Sequence, residues 1–542
     1  MPRFFSRPNG AVLMLLLGLA AARPVLADSL NQPPAPVIGS RNVATADLLV
    51  SQPTTTPCTV TLFSQQEFAD FDAKPFSYTP PAACPGPWSK VVFEGDFSVT
   101  AGVQYDRTAQ IFIGNVNVFY GTTAEPQSNV SPSWHVERDL TDYSALLASS
   151  QSGFASIGNI VNSTYTGIIY GTASLVFYPA DPANPAPSTP DVVIPINAGG
   201  ATTLSTTSSQ MAQTLTLPTN IENAWLDVIA QSQSGDEFWY TCVPDDLSDE
   251  LQSCGGTAFR EVEVSIDGQP AGVAPVYPWI YTGGLNPRLW VPTPGAQTLN
   301  FDPYRVDLSP FAAMLSNGAA HTVALSVYGA NGYFLATGTL MLKLDAGSSQ
   351  ISGALTSDTI GGAPDPIVKE NIKSAGAKTS GTVSVSASRS FTLAGYVDTS
   401  HGRVTTSIAQ TIGFSNQQTF DITATSYSQD IQQASAVTTT TTVTDSSGTS
   451  TTTRKLSLPL TINYMPTDSS IQQQFVDLRS QQLADGSTRS SKRSNTVAPS
   501  ATVAQYGSSQ HYVYTDSSGA CYDRTISSTQ GYVSGVTDRC TH

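Results

Sequence analysis

The chain has 542 residues, of which only 12% are charged, and its 25 Lys and Arg against 41 Asp and Glu give a formal net charge of −16 at pH 7. This charge balance excludes a protein that binds nucleic acid through its phosphates, because such affinity depends on clustered Lys and Arg. The length predicts three to four domains at roughly 150 residues each, and the hydrophobic fraction of 40% is a globular value.

The first 27 residues are typical of a secretory signal peptide. Arg3 and Arg7 precede an apolar run over residues 11–20, and the small residue Ala27 offers a cleavage site. The run is too short for a membrane helix, and no later segment approaches the ~20 apolar residues that a span needs. We therefore expect a secreted or periplasmic protein with no membrane partner, and the signal fits bacterial export.

Six cysteines in an exported chain favour disulfides over metal ligands. They allow 15 pairings, and proximity favours three local couples: Cys58 with Cys84, Cys242 with Cys254, and Cys521 with Cys540. No couple has the short spacing of a zinc site. The five histidines are scattered, so we expect no metal and no other cofactor.

The first part of the chain contains short strands. Residues 28–47 are Pro-rich and predict an extended linker, and residues 110–120 predict a hairpin that turns at Gly114-Asn115. A Pro-rich stretch over residues 179–187 favours extended linker structure. We place the first domain at residues 48–187.

A second domain is expected at residues 188–345, where polar and apolar residues alternate over 261–266 before an Asp267-Gly268 turn. The remainder, residues 346–542, is rich in Ser and Thr and predicts a C-terminal β domain, either a third sandwich or a spacer. Its Thr-rich run over 438–453 fits a solvated loop or edge strands. Helical periodicity is almost absent, so the fold class is all-β, with two sandwiches followed by the C-terminal domain.

Carboxylates are the plausible acid and base groups, because the chain has no nucleophile-elbow, zinc-protease or phosphate-loop motif. Asp106 and Arg107 precede the predicted hairpin, and Glu125 follows it. Asp236 and Glu237 precede a run of three aromatic residues. A strand cap, a turn residue and a solvated loop end are the simpler interpretations of these three places.

Eight blocks in order resemble the peptide-N-glycosidase A family. They cover residues 88–94, 105–107, 122–126, 134–139, 158–167, 236–240, 259–268 and 281–287. The resemblance implies hydrolysis of the amide bond between asparagine and the innermost N-acetylglucosamine, which gives aspartate and a glycosylamine. It also implies two consecutive eight-stranded jelly rolls with the active site between them, as in the related peptide-N-glycosidase F.

The resemblance assigns the essential aspartate to Asp106, beside Arg107, with Tyr105 in place of the family's Trp. Two glutamates of the related site do not carry over, since Asn159 stands at one of the positions. We therefore assign the second carboxylate to Glu237 and the third to Glu125. The expected substrate-binding residues are Arg107, Asn159, Asp236, Trp239, Tyr240, Arg288 and Trp290.

The expected chemistry uses Asp106, ionised beside the Arg107 cation, to activate water, and Glu237, with its pKa raised by aromatic neighbours, to donate a proton. Carboxylates without histidine favour work at acidic pH. We expect a monomer that acts on N-glycosylated proteins or peptides. The alternative is a secreted, non-catalytic carbohydrate-binding β-sandwich protein. A copper monooxygenase would need His and Met clusters, which the sequence lacks.

Overall fold

The computed structural model of the protein describes residues 30–465, 470–482, 488–498, 505–515 and 519–540. The predicted signal peptide lies outside these residues. The described chain is mostly strand, and its two α-helices, α1 (Ser144–Leu147) and α2 (Ala312–Leu315), have four residues each. No helix in this part of the chain is long and apolar enough to cross a membrane.

The first unit is a pair of four-stranded antiparallel sheets. Its strands are β1 (Cys58–Phe68), β2 (Lys74–Tyr78), β3 (Trp88–Val99), β4 (Thr108–Ile113), β5 (Val116–Thr122), β6 (Ser133–Asp139), β7 (Gln151–Ile157) and β8 (Ile169–Pro179). The orders are β1-β8-β3-β6 and β2-β7-β4-β5. The predicted hairpin is confirmed as β4 and β5, and it turns at Gly114 (φ 56°) and Asn115 (φ 65°). Positive φ at both positions matches the right-handed twist of the flanking strands.

The second unit contains nine strands in the described chain. They are β9 (Val192–Pro195), β10 (Thr202–Leu204), β11 (Gln210–Thr216), β12 (Ile221–Gln233), β13 (Glu261–Ile266), β14 (Gln269–Pro275), β15 (Tyr304–Asp307), β16 (Ala320–Tyr328) and β17 (Tyr333–Leu344). One sheet has the order β10-β17-β12-β15 with β9 also on β17, and the other has β11-β16-β13-β14. Apart from β9, the order of the first unit recurs, so the expected count of eight strands is one too few.

Short 3-10 helices interrupt the connections of both units. They span Thr141–Tyr143, Ser234–Asp236, Trp239–Thr241, Asp245–Leu247, Pro287–Trp290 and Ser309–Phe311. Three of them fall in the long connection from β12 to β13, which also contains the second predicted disulfide.

The rest of the chain forms one antiparallel sheet of eleven described strands, which is neither a third sandwich nor a spacer. They are β18 (Ser352–Asp358), β19 (Ile367–Ala375), β20 (Lys378–Thr399), β21 (Gly402–Ile422), β22 (Tyr427–Asp445), β23 (Gly448–Met465), β24 (Ser470–Gln482), β25 (Thr488–Ala498), β26 (Gln505–Thr515), β27 (Cys521–Thr529) and β28 (Tyr532–Asp538). The neighbours are consecutive from β20 to β28, whereas β18 and β19 both pair with β20.

The Thr-rich run is part of two interior strands of this sheet, not a loop or an edge. Residues 438–445 belong to β22 and residues 448–453 to β23, and the two strands pair in register. Facing hydroxyls lie 3.2 Å apart between Thr440 and Thr453 and between Thr442 and Thr451. Thr suits this position because its β-branched side chain fits a pleated surface.

One face of the C-terminal sheet packs on the second unit. A single hydrophobic cluster contains Val262 and Leu308 of that unit together with Phe391, Ile408 and Leu458 of the sheet. The gaps between strand groups, 180–191 and 345–351, contain the predicted boundaries. The three-domain division stays a prediction, and the shared core indicates that the last two parts depend on each other.

The N-terminal segment, residues 30–57, has no strand or helix and joins distant parts of the molecule. The Ala44 N–H donates to the Pro292 carbonyl of the second unit at 3.0 Å. The Ala46 N–H donates to Gln510 Oε1 in β26 at 2.8 Å. The predicted linker is extended, and it is anchored at both of these places.

All three predicted disulfides are confirmed: Cys58–Cys84, Cys242–Cys254 and Cys521–Cys540. Each closes a local loop, in the first unit, the second unit and the C-terminal sheet respectively.

Candidate active site

Asp106 and Glu125 come together at the open end of the β4–β5 hairpin. The strands pair from Thr108 with Thr122 inward, so the residues just before β4 and just after β5 are neighbours. The Asp106 N–H donates to Glu125 Oε2 at 3.2 Å. The Arg107 N–H donates to Thr123 Oγ1 at 2.9 Å, which extends the pairing beyond the strands.

A loop of the second unit covers this open end. The Gly283 N–H donates to Asp106 Oδ2 at 2.9 Å, and Thr282 Oγ1 donates to the Thr123 carbonyl at 2.8 Å. A Cβ on Gly283 would overlap Glu125 Oε2 and lie 3.3 Å from Asp106 Oδ1. A side chain at position 283 would therefore require the Glu125 carboxylate or the loop to move. The site lies between the first two units.

Glu237 reaches the same site from the end of β12. It follows a 3-10 turn that begins at Ser234, whose φ is +53°. The turn is fixed by Asp236, whose buried carboxylate accepts hydrogen bonds from Arg260 Nη2 at 2.8 Å and from the Gly332 N–H at 2.7 Å. A buried, fully bonded carboxylate holds the backbone of the residue that follows it.

The three carboxylates are electrostatically coupled. Burial raises the pKa of Glu125 to about 7, and the charges of Asp106 and Glu237 add to the increase. Burial also raises the pKa of Glu237 to about 7, again with a contribution from Asp106. Like charges and a low dielectric both disfavour ionisation, so a cluster of this kind retains protons near neutral pH.

Asp106 also has a raised pKa, which corrects the expectation that Arg107 alone keeps it fully ionised. Burial is the largest cause and outweighs the Gly283 N–H and the Arg107 charge, both of which lower the pKa. The Arg107 guanidinium lies 5.8 Å from the ring centre of Tyr105.

One donor and an aromatic pair border the carboxylates. The buried Nε of Arg107 has no hydrogen-bond partner among the described residues. Tyr105 is 45% exposed, and its ring lies 5.3 Å from that of Tyr165 in an edge arrangement. A small cavity of about 30 Å³ beside Glu125 is also lined by Trp290. That volume is enough for a water molecule.

Several residues predicted to bind substrate are structural instead. Asn159 is fully buried, and its Nδ2 donates to the carbonyls of Phe68 at 2.9 Å and Gly167 at 3.1 Å. Asp236 is fully buried in its ion pair with Arg260. Both side chains have their polar atoms bonded inside the protein, which leaves no access for a sugar.

The predicted aromatic platform is also buried. Trp239 is 1% exposed and packs 6.1 Å from Phe414 of the C-terminal sheet, and Tyr240 is inaccessible. The charge of Glu237 contributes to the raised pKa of Tyr240, which places the Tyr240 hydroxyl near the site rather than in it. Aromatic residues after Glu237 therefore form core, because the C-terminal sheet covers them.

Trp290 and Arg288 lie at the rim. Trp290 is buried and donates from Nε1 to the Gly284 carbonyl at 2.7 Å, which holds the covering loop. Arg288 is exposed, 6.0 Å from the ring centre of Tyr506 in β26. Arg288 can therefore contact a sugar directly, whereas the buried Trp290 offers no exposed surface for such a contact.

Two residues of the covering loop contribute to the site without having been predicted from the sequence. Gly283 supplies the backbone donor to Asp106. Tyr281 is buried, donates to the Ser232 carbonyl, and has its pKa raised by burial and by the charges of Glu237 and Asp106. The adjacent glycines at 283 and 284 were the available signal, because such a pair indicates close backbone approach.

Within the described ranges, no three His, Cys, Asp or Glu side chains are grouped so that they could hold a metal ion.

The sequence model of a protein family described as peptide N-acetyl-beta-D-glucosaminyl asparaginase amidase A matches residues 47–355. Peptide-N4-(N-acetyl-beta-glucosaminyl)asparagine amidase A of Prunus dulcis is 31% identical over 392 residues, which cover 68% of this chain and 67% of that protein.

Among solved structures, PNGF-II is 13% identical with a TM-score of 0.37, over 53% of this chain and 65% of that one. PNGase F of Flavobacterium meningosepticum is 13% identical with a TM-score of 0.36, over 53% of this chain and 96% of that one.

Proposed function

Because the chain belongs to the peptide N-acetyl-beta-D-glucosaminyl asparaginase amidase A family, we propose that Asp106, Glu237 and Glu125 carry out its reaction. The chain is an N-glycan amidase, a hydrolase that cleaves the bond between asparagine and the innermost N-acetylglucosamine. The observation that supports the roles is the meeting of three half-buried, electrostatically coupled carboxylates from two units, since pairs of perturbed acids mark catalytic sites.

Asp106 is the base. It accepts a hydrogen bond from the Gly283 N–H and lies next to Arg107, and both contacts favour its ionised form. It removes a proton from water, which attacks the amide carbon. The unpaired Nε of Arg107 is the candidate donor to the oxyanion that develops on the amide oxygen.

Glu237 is the acid. Its pKa of about 7 keeps it protonated in acidic and neutral solution, and it donates this proton to the departing nitrogen. The amide C–N bond then breaks, which gives aspartate and a glycosylamine. Glu125 is also protonated below about pH 7, so the cluster has a single negative charge. Its Oε2 accepts a hydrogen bond from the backbone N–H of Asp106 and so orients that residue.

The exposed Tyr105 and the half-buried Tyr165 form the surface on which the innermost sugar packs. Arg288 at the rim binds a more distant sugar. These two places replace the buried Trp239 and Tyr240 as the candidate sugar contacts.

We also propose that the protein is a secreted or periplasmic bacterial monomer that works at acidic pH. Three disulfides favour an oxidising compartment. The recurrence of the strand order in both units supports two jelly rolls. The carboxylate cluster favours the amidase over the non-catalytic carbohydrate-binding alternative.

The Asp106→Asn variant tests the assignment. Asn cannot accept the proton from water, so deglycosylation of a glycopeptide should fall by at least ~10²-fold. Mass spectrometry follows the reaction, because conversion of asparagine to aspartate adds about one mass unit to the peptide. Asp72→Asn, in an exposed turn of the same unit, is the matched control and should leave the rate unchanged. Full activity of Asp106→Asn would remove Asp106 from the mechanism.

A further inference from the structure

A second, larger cavity lies between the second unit and the C-terminal sheet. Its volume is about 420 Å³, and neither Asp106 nor Glu125 nor Glu237 lines it. Small-molecule sites have roughly 300–1,000 Å³, so the cavity has the size of a ligand site. Four lining residues are exposed and mark its mouth: Asp302, Ser450, Arg454 and Lys455.

The wall formed by the second unit is aromatic. Trp225, Tyr277, Trp279 and Tyr304 all line the cavity. Trp279 is 4% exposed and stacks on Phe301, with ring centres 3.9 Å apart. Its buried indole N–H has no hydrogen-bond partner among the residues the structure describes. A buried donor without a partner is costly in a finished fold, and a ligand with an acceptor oxygen would satisfy it.

The wall formed by the sheet is mixed, with apolar side chains such as Phe391, Ile408 and Leu458 beside a group of polar ones. Gln410, Thr439, Thr441 and Thr452 line it, because alternate residues of β21, β22 and β23 point to this face. Gln410 Nε2 donates to Tyr304 Oη at 3.0 Å and to Thr439 Oγ1 at 3.1 Å, so the two walls are joined at one end. The hydroxyls of Thr441 and Thr452 can both donate and accept.

We propose that this cavity binds a neutral oligosaccharide of two or three rings, separately from the amidase site. Flat aromatic faces suit the C–H faces of sugar rings, and hydroxyl and amide groups opposite them suit the sugar hydroxyls. The charged residues that line the cavity have mixed signs, which does not select a strongly charged ligand: Asp302, Asp307, Arg305, Arg454 and Lys455. The site goes beyond the proposed reaction and does not depend on the roles given to the carboxylates.

The test uses a tryptophan that fills the cavity from the sheet. Thr441→Trp places a large ring in the cavity, whereas Thr440→Trp places the same ring on the opposite face of β22. Binding of N,N′-diacetylchitobiose and of mannotriose to the full chain is measured by titration calorimetry. We expect the Thr441→Trp variant to lose one class of saccharide-binding site, that is, to bind at this site with at least tenfold weaker affinity. The Thr440→Trp variant should bind both saccharides as the unmodified protein does.

Two controls distinguish a loss of saccharide binding from a loss of stability and from a loss of amidase activity. Thr452 pairs directly with Thr441 across the strands, so Thr452→Trp should give the same loss and replaces Thr441→Trp if that variant has a lower melting temperature. Deglycosylation of a glycopeptide is measured for each variant, so a failure of the amidase proposal is seen independently of saccharide binding. Absence of saccharide binding in the unmodified protein, or equal binding by all variants, would overturn the proposal.

Discussion

Single residues in this protein acquire their chemistry from burial. Glu125 and Glu237 are ordinary carboxylates in sequence, and burial with a neighbouring negative charge raises both pKa values to about 7. Asp236, adjacent in sequence to Glu237, is instead neutralised by Arg260 and serves structure. The buried Arg260 cation thus gives Asp236 a structural role.

The raised pKa of Glu237 sets the expected pH dependence. The useful form of Glu237 is the protonated acid, which persists up to about pH 7, so kcat/KM should fall as the pH rises through 7. Asp106 must be ionised to act as the base, and its pKa is raised, so kcat/KM should also fall at the acidic end when Asp106 takes up a proton. Glu237→Gln cannot donate a proton and should lower kcat by ~10²-fold or more. Glu222→Gln, at another part of β12, is the control. A pH optimum above about 8, or an unchanged Glu237→Gln rate, would contradict this role.

Gly283 is the residue with the least steric freedom in the site. An added methyl group would overlap Glu125 Oε2, so Gly283→Ala should displace the loop and weaken the N–H donor to Asp106. We expect kcat to fall by at least about tenfold, on the scale of one lost electrostatic donor. Gly413→Ala is the matched control, because its added Cβ would have no neighbour within 4 Å. Equal activity of both variants would show that the close approach is not needed.

Two different structural features position the carboxylates of the site. The β4–β5 hairpin brings Asp106 and Glu125 together across 19 residues of sequence, and this could be predicted from the Gly114-Asn115 turn. The turn after β12 delivers Glu237 through a buried ion pair between Asp236 and Arg260, and the sequence offered no sign of this. A pair 24 residues apart in a loop has no periodicity that would reveal it.

The turn after β12 should therefore be fragile. Asp236→Ala leaves the Arg260 cation buried without its partner, which costs about 3–5 kcal/mol for a broken buried pair. Urea unfolding followed by circular dichroism should show this loss. Asp246→Ala, exposed in the same connection, should change the unfolding free energy little. Stability equal to that of the unmodified protein would mean that the turn is held by other contacts.

The three parts of the molecule depend on each other more than the composition suggests. The C-terminal sheet buries Phe391, Ile408 and Leu458 against the second unit, and its strand β26 contacts the N-terminal segment. Tyr506 in β26 accepts a hydrogen bond from Gln127, two residues after Glu125, at 2.6 Å. The sheet therefore supports both the core of the second unit and the rim of the site.

Removal of residues 346–542 should prevent folding of the second unit. The truncation would expose the apolar face that the sheet covers, and exposed apolar surface of that extent promotes aggregation. Size-exclusion chromatography and circular dichroism of the chain ending at 345 would show aggregated or unfolded protein. A monomeric, cooperatively unfolding and active truncated chain would show that the sheet is dispensable.

The sequence by itself determined the all-β class, the β4–β5 hairpin and the three disulfides, because alternation, turn residues and cysteine spacing are local properties. The ordered blocks also identified the family and brought Asp106 forward. Only the tertiary structure decided which aromatic and polar residues face the substrate. Trp239 is buried because a strand of the C-terminal sheet more than a hundred residues away packs over it, and Asn159 because it is bonded to the carbonyls of Phe68 and Gly167. The adjacent residues Asp236 and Glu237 differ in role because the distant Arg260 pairs with Asp236.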